Sequence, residues 1–123
     1  MGMRALFDSD VLIDYLCGLT EVRNELAQYS ERLISIITYA EVLIGADNEE
    51  ELRACRECLA DFTFIDVGTE IAEEAVRLRR EHRLKLPDAL IWATAMTERL
   101  LLVTRNTKVF PENHPGIRVP YSV

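Results

Sequence analysis

Four positions in this sequence carry the residue types of a hydrolytic centre: Asp8, Glu41, Asp88 and Asn106. The first lies in Phe7-Asp8-Ser9-Asp10-Val11-Leu12-Ile13-Asp14, where the apolar run Ala5-Leu6-Phe7 stops on a carboxylate and a second follows two residues later. Carboxylates brought together repel, and each raises the pKa of its neighbours. A divalent cation removes that penalty. Mg²⁺ and Mn²⁺ prefer oxygen donors, keep several waters and need few carboxylates. Water activated by such a cation hydrolyses esters, and a phosphodiester is its natural substrate.

Other chemistries find little support. The two histidines, His82 and His114, follow charged or proline-rich stretches and read as solvent-exposed. No Ser-His or Cys-His pair stands near a nucleophile elbow. Five scattered glycines exclude a phosphate-binding loop or a dinucleotide fingerprint. Three cysteines are present, and Cys55-Arg56-Glu57-Cys58 spells C-x-x-C. It has no second pair, no nearby His and no preceding strand, so it reads as two helix positions with reduced thiols.

The elements that must position these groups alternate. Strand-like runs cover residues 4–8, 33–37, 62–65 and 101–104, with a possible short edge strand at 117–119. Helix-like segments fall between them, at 11–17, 21–29, 38–44, 49–59, from Thr69 onward, and at 88–99 after Pro87. The strand runs are apolar throughout, as in a parallel sheet covered on both faces. The fold class expected is α/β: a three-layer α/β/α sandwich around a mainly parallel sheet of four to five strands, one domain over residues 1–123. In such a sheet all strand carboxyl ends share one edge. Asp8, Thr38 with Glu41, and Thr104-Arg105-Asn106 all follow strand runs, and Asp88 stands in the first turn of its helix.

Each residue also has a plainer reading. Asp8 can cap the following helix, and Asp10 can help do so. Thr38-x-x-Glu41 matches a capping box. Asp88 suits the positive end of a helix dipole, and Asn106 is a common turn residue. The site rests on their conjunction.

The conjunction resembles the PIN-domain ribonucleases, and within them the VapC-like toxins of type II toxin–antitoxin pairs. Phe7 to Asp14 is similar to the family's first motif. Ser35-Ile36-Ile37-Thr38-Tyr39-Ala40-Glu41-Val42 is similar to its second, Leu86-Pro87-Asp88-Ala89-Leu90-Ile91-Trp92-Ala93 to its third, and Leu102 to Phe110 to its fourth. The resemblance spans essentially the whole chain. It implies Mg²⁺ or Mn²⁺ held by Asp8 and Asp88 with Glu41 assisting, cleavage of single-stranded or looped RNA, a homodimer, and a cognate antitoxin that blocks the site. Asn106 and Val109 stand where family members often carry acids, which implies one resting cation rather than two. Asn106 can still orient a water. Ser9, Thr104, Arg105 and Lys108 flank these residues as candidate substrate contacts, with a surface salt bridge as the alternative for Arg105 and Lys108. Asp8-Ser9-Asp10 also resembles the D-x-D of haloacid-dehalogenase-like phosphatases, but the chain is short for that class and lacks its later acidic pair. A catalytically silent PIN-like binding module is the other alternative.

The net charge of −7 argues against a passive nucleic-acid binder and fits an enzyme that meets an anion through a cation. No apolar run approaches the ~18 residues of a membrane span. Met1-Gly2-Met3-Arg4 leads straight into a strand-like run, so a cytoplasmic protein is expected. The segment 87–99 is apolar on most sides and reads as a central helix, with a second subunit as an alternative cover. The short helices between Val11 and Tyr29, with the helix after Thr38, are expected to form an apolar groove for an antitoxin helix.

Overall fold

Five short strands form one parallel sheet in a computed structural model that describes residues 3–121. The strands are β1 (Met3–Phe7), β2 (Tyr29–Ser35), β3 (Thr63–Ile65), β4 (Leu101–Val103) and β5 (Ile117–Arg118). Their order across the sheet is β3-β2-β1-β4-β5, and every neighbouring pair is parallel. Parallel neighbours need crossovers. Helices α1 (Ser9–Leu16) and α2 (Thr20–Leu26) join β1 to β2, α3 (Ile36–Ile44) and α4 (Glu49–Leu59) join β2 to β3, and α5 (Thr69–His82) and α6 (Leu86–Thr97) join β3 to β4. The link from β4 to β5 contains no helix.

Alternation along each strand divides the core in two. Leu6, Leu33, Leu102 and Ile117 pack against Ile71, Ala75 and Leu78 of α5 and against the buried residues of α6. Ala5, Phe7, Ile34 and Val103 face the other way, onto Val11, Leu12, Val22, Leu26 and Leu59. The expected α/β/α sandwich is therefore present, with five strands. Among the described residues no helix is long and apolar enough to cross a membrane.

Several boundaries differ from the sequence reading, and the reasons bear on the site. The run Leu33 to Ile37 does not continue as a strand. The Ser35 hydroxyl accepts a hydrogen bond from the Ile37 amide at 3.1 Å and starts α3 there. A side-chain cap at the strand end thus overrides the β-preference of Ile36 and Ile37. Thr38 then lies inside the helix, buried with its hydroxyl unpartnered, and the expected Thr38–Glu41 capping box does not form. Tyr29 opens β2 instead of ending α2. At the start of α1 the cap is Asp8, whose side chain accepts from the Ser9 amide, so Asp10 is not the capping residue.

The α6 segment is buried by the chain itself. Ala89, Ile91, Trp92, Ala93, Thr94 and Ala95 are all inside, with Trp92 at 1% exposure. Trp92 packs against His82, Phe110 and His114, with ring centroids 4.8, 5.9 and 5.4 Å away. His114 is thus half-buried rather than solvent-exposed, and its Nδ1 accepts from the Gly116 amide at 2.9 Å.

Candidate active site

The strand order reverses beside β1. From it the chain moves outward through β2 and β3, and it later returns to place β4 on the other side. The carboxyl ends of β1 and β4 therefore flank the switch point, where open α/β sheets form their crevice. The register pairs Phe7 with Val103, and the Asp8 amide donates to the Val103 carbonyl at 2.9 Å. Asp8 and Thr104, the next residues on each strand, emerge side by side.

Asp8 is 5% exposed. Its Oδ1 accepts from the Ser9 amide at 2.8 Å and its Oδ2 from the Thr104 hydroxyl at 2.7 Å, which fixes the plane of the carboxylate. The Thr104 Oγ1 in turn accepts from the Asn106 amide at 3.1 Å. Burial is the largest influence on the Asp8 carboxyl and pushes its pKa up to about 7. The charges of Asp10 and Asp88 push the same way, against the two hydrogen bonds.

Glu41 comes from the middle of α3, and its Oε1 accepts from the Ser9 hydroxyl at 2.6 Å. Ser9 thus links the first two acidic positions, donating its amide to Asp8 and its hydroxyl to Glu41. Asp88 enters from the first turn of α6. Burial raises its pKa first, and the charges of Glu41 and Asp10 add to this, opposed by Lys85. Asp10 is also raised, chiefly by burial, against a long contact from the Arg105 amide at 3.4 Å. Asp88 and Asn106 line one cavity of about 350 Å³, and Lys108 lies on its wall.

Arg105 is placed elsewhere. Its Nε and Nη2 grip the two oxygens of Asp14 at 2.8 and 3.0 Å, and Tyr121 donates to Asp14 Oδ2 at 2.7 Å. Its guanidinium is occupied within the chain. Sequence reasoning did not find the Ser9–Glu41 bond or the Asp14–Arg105–Tyr121 cluster. Asp14 stands six residues past Asp8 on α1, and nothing local marks its partners.

These donors suit a hard divalent cation. The charges of Asp10 and Asp88 reach Asp8, and those of Glu41 and Asp10 reach Asp88, which the Lys85 charge relieves. Among the described residues no three acidic, His or Cys side chains converge tightly enough to hold an ion as they stand. Mg²⁺ does not need three, since it takes one or two carboxylates and fills its octahedron with water. Asp8, oriented by Thr104 and the Ser9 amide, and Asp88 would hold such an ion, with Glu41 at its edge.

The chain and its fold have known relatives. A family profile described as PIN domain matches residues 5–113. The chain is 39% identical over 114 residues to Ribonuclease VapC10 of Mycobacterium tuberculosis, a match covering 86% of this chain and 85% of that protein. A solved toxin–antitoxin complex from Klebsiella pneumoniae contains a chain 43% identical, with a TM-score of 0.89 over 97% of this chain and 99% of that one. A DNA-bound VapBC structure from Salmonella typhimurium gives 25% identity and a TM-score of 0.80, covering 96% of each chain.

Proposed function

Since the chain belongs to the PIN-domain family, we propose that it is an endoribonuclease dependent on Mg²⁺ or Mn²⁺, acting on single-stranded or looped RNA as the toxin of a toxin–antitoxin pair. The observation that carries the reading is Asp8: a carboxylate buried at the switch point, oriented by two donors, with acidic neighbours and no cationic partner. The relatives named ribonuclease and toxin–antitoxin complex support the choice of RNA and of an antitoxin.

When bound, the cation supplies Lewis acidity, neutralising charge on the phosphoryl oxygens and lowering the pKa of a water. Asp8 and Asp88 would hold it, and Thr104 and Ser9 keep Asp8 in register. Glu41, positioned by Ser9, takes a proton from the attacking water. The remaining hydroxide adds to phosphorus as one P–O ester bond breaks, and the departing ribose oxygen takes up a proton. One free hydroxyl and one phosphomonoester end result. Asn106, in the same cavity as Asp88, orients the water. Val109 packs against the core and offers no ligand atom, which favours one cation over two.

A groove of about 490 Å³, lined by Ile13, Leu16, Val42 and Cys55 among others, is the surface we assign to an antitoxin helix. It lies between α1, α3 and α4, whereas the sequence reading placed α2 in its wall. An RNA substrate puts the working protein in the cytoplasm. A homodimer belongs to the same reading, and light scattering after size exclusion checks it. The function is tested with purified protein, Mn²⁺ and a structured RNA, beside Asp8→Ala and Asp88→Ala. Cleavage confined to the wild type supports it. Equal cleavage by all three assigns the activity to a contaminant and removes the proposal.

A further inference from the structure

The cavity lined by Asp88 and Asn106 is also lined by cations. Helix α5 stops at Arg83, which takes the left-handed conformation (φ 56°, ψ 39°) that side chains other than Gly and Asn rarely adopt. Its amide still donates to the Arg79 carbonyl at 2.8 Å. Leu84 is then buried in the α5–α6 core, and this anchor leaves Arg83 and Lys85 exposed on either side of it. From the other direction the loop after β4 brings Lys108 to the same cavity. Arg83, Lys85 and Lys108 all line it, together with His82.

These three cations are set apart by their shared place in one cavity, since Arg23, Arg53 and Arg56 among the described residues also form no ion pair. Arg77 is paired with Glu74 and Glu81, Arg105 with Asp14, and Arg118 with Glu25. Among the described residues, none of Arg83, Lys85 and Lys108 forms an ion pair with a carboxylate. In a chain of net charge −7 this places three cations beside the acidic site, of which Lys85 already lowers the Asp88 pKa through its charge. An anion that touches both must present negative charge to the cations while its reacting group meets the cation-binding carboxylates. A nucleic-acid strand does so, because its phosphates repeat along the backbone. The cavity, at about 350 Å³, has the volume of a small-ligand site.

We propose that the cavity between the α5–α6 turn and the loop after β4 is an RNA-backbone subsite that holds the phosphate next to the scissile one through Arg83, Lys85 and Lys108. The proposal rests on the ribonuclease reading and deepens it: the strand leaves the reacting centre past Asp88 and Asn106, away from Asp14 and Arg105. Phosphate contacts position a strand without reading its sequence. The subsite therefore contributes to KM and to salt dependence, equally for substrates of different sequence.

The test compares cleavage of short single-stranded RNAs in Mn²⁺ over a series of salt concentrations. The variants are R83Q/K85Q/K108Q, the charge-keeping R83K/K85R/K108R, and R23Q/R53Q/R56Q, which removes the same net charge from exposed positions outside the cavity. The subsite variant is expected to lose at least tenfold in kcat/KM at low salt, mostly through KM. Its plot of log kcat/KM against log salt is expected to flatten by about 0.7 for each phosphate that is no longer neutralised. The charge-keeping variant and the R23Q/R53Q/R56Q control should stay within about threefold of wild type with an unchanged slope. A subsite variant indistinguishable from that control overturns the subsite and leaves the ribonuclease reading standing. No cleavage by the wild type overturns the ribonuclease reading, and the subsite with it. Thermal melting of each variant separates weakened binding from unfolding.

Discussion

Glu25 and Asp8 are both buried carboxylates, 3% and 5% exposed, and they sit in opposite electrostatic situations. Burial pushes the Glu25 pKa up, but Arg118 overrides it, gripping both oxygens at 2.5 and 2.8 Å, and the Tyr29 hydroxyl adds a bond at 2.7 Å. The outcome is a carboxyl held below its ordinary value. Asp8 receives two donors that carry no charge and is surrounded by acids, and its pKa rises to about 7. One buried charge carries its own counter-ion and ties α2 to β5. The other lacks one at the point where the sheet opens. Burying a carboxylate without a partner is unfavourable, and the proposed cation would supply the partner that Asp8 lacks.

Removing the ligand should break the comparison from the side of function. Asp8→Ala or Asp88→Ala is expected to lower the cleavage rate in Mn²⁺ by at least roughly 1,000-fold, about 4 kcal/mol of lost transition-state stabilisation. Melting curves should show that both variants fold. Breaking it from the side of structure, Arg118→Ala leaves Glu25 buried without its cation. Arg118 is partly exposed, so water can reach the vacated position, and a loss of about 2 kcal/mol in urea unfolding is expected. The cleavage rate per folded molecule should stay near that of the wild type.

The pH response sharpens the contrast. The Asp8 pKa is raised on folding from about 3.9 to about 7, so between those values the folded chain binds more protons than the unfolded one. The Asp8 contribution to stability of the metal-free protein is then greatest below about pH 4 and falls as pH rises through 7. Glu25 works in the opposite sense: its pKa is lowered on folding, and its contribution fades as pH drops below the ordinary carboxylate range. Asp8→Asn, measured by thermal melting without metal, should stabilise the protein at pH 8 by roughly 1–2 kcal/mol and remove most of the decline between pH 5 and 8. The smallest effect expected is that of Ser9→Ala. It frees Glu41 while leaving the Ser9 amide on Asp8, and a loss of about tenfold in kcat with little change in KM would mark Ser9 as a positioning residue.

What could be read from the sequence followed its local grammar. An apolar run ending on Asp8, alternation of strand and helix, and Pro87-Asp88 at a helix start were enough to predict the sandwich and to nominate Asp8 and Asp88. Thr38-x-x-Glu41 obeyed the same grammar in its plainer reading as a capping box, and that box does not form. Ser35 captured the Ile37 amide one turn earlier, which left Glu41 for Ser9. Asp10 looked like a cap because two acids stood at one helix start, and only backbone geometry shows that Asp8 fills that role. Arg118 lies 93 residues from Glu25, and Arg105 lies 91 from Asp14. No local pattern ties such pairs together, because the sheet order brings them into contact. His114 sits in a proline-rich segment that reads as open loop, yet the Trp92 ring it packs against comes from α6.

On the proposed reading Asp8 binds a cation and Glu25, held by Arg118, does not. Titration calorimetry of Mn²⁺ into the metal-free protein at pH 8 tests this most directly, with Asp8→Asn, Asp88→Asn and Glu25→Gln in parallel. One Mn²⁺ per wild-type chain is expected, with the same stoichiometry in Glu25→Gln and binding weakened at least tenfold in both Asp variants. A wild type that binds no Mn²⁺, or Asp variants that bind it as tightly as the wild type, would contradict it.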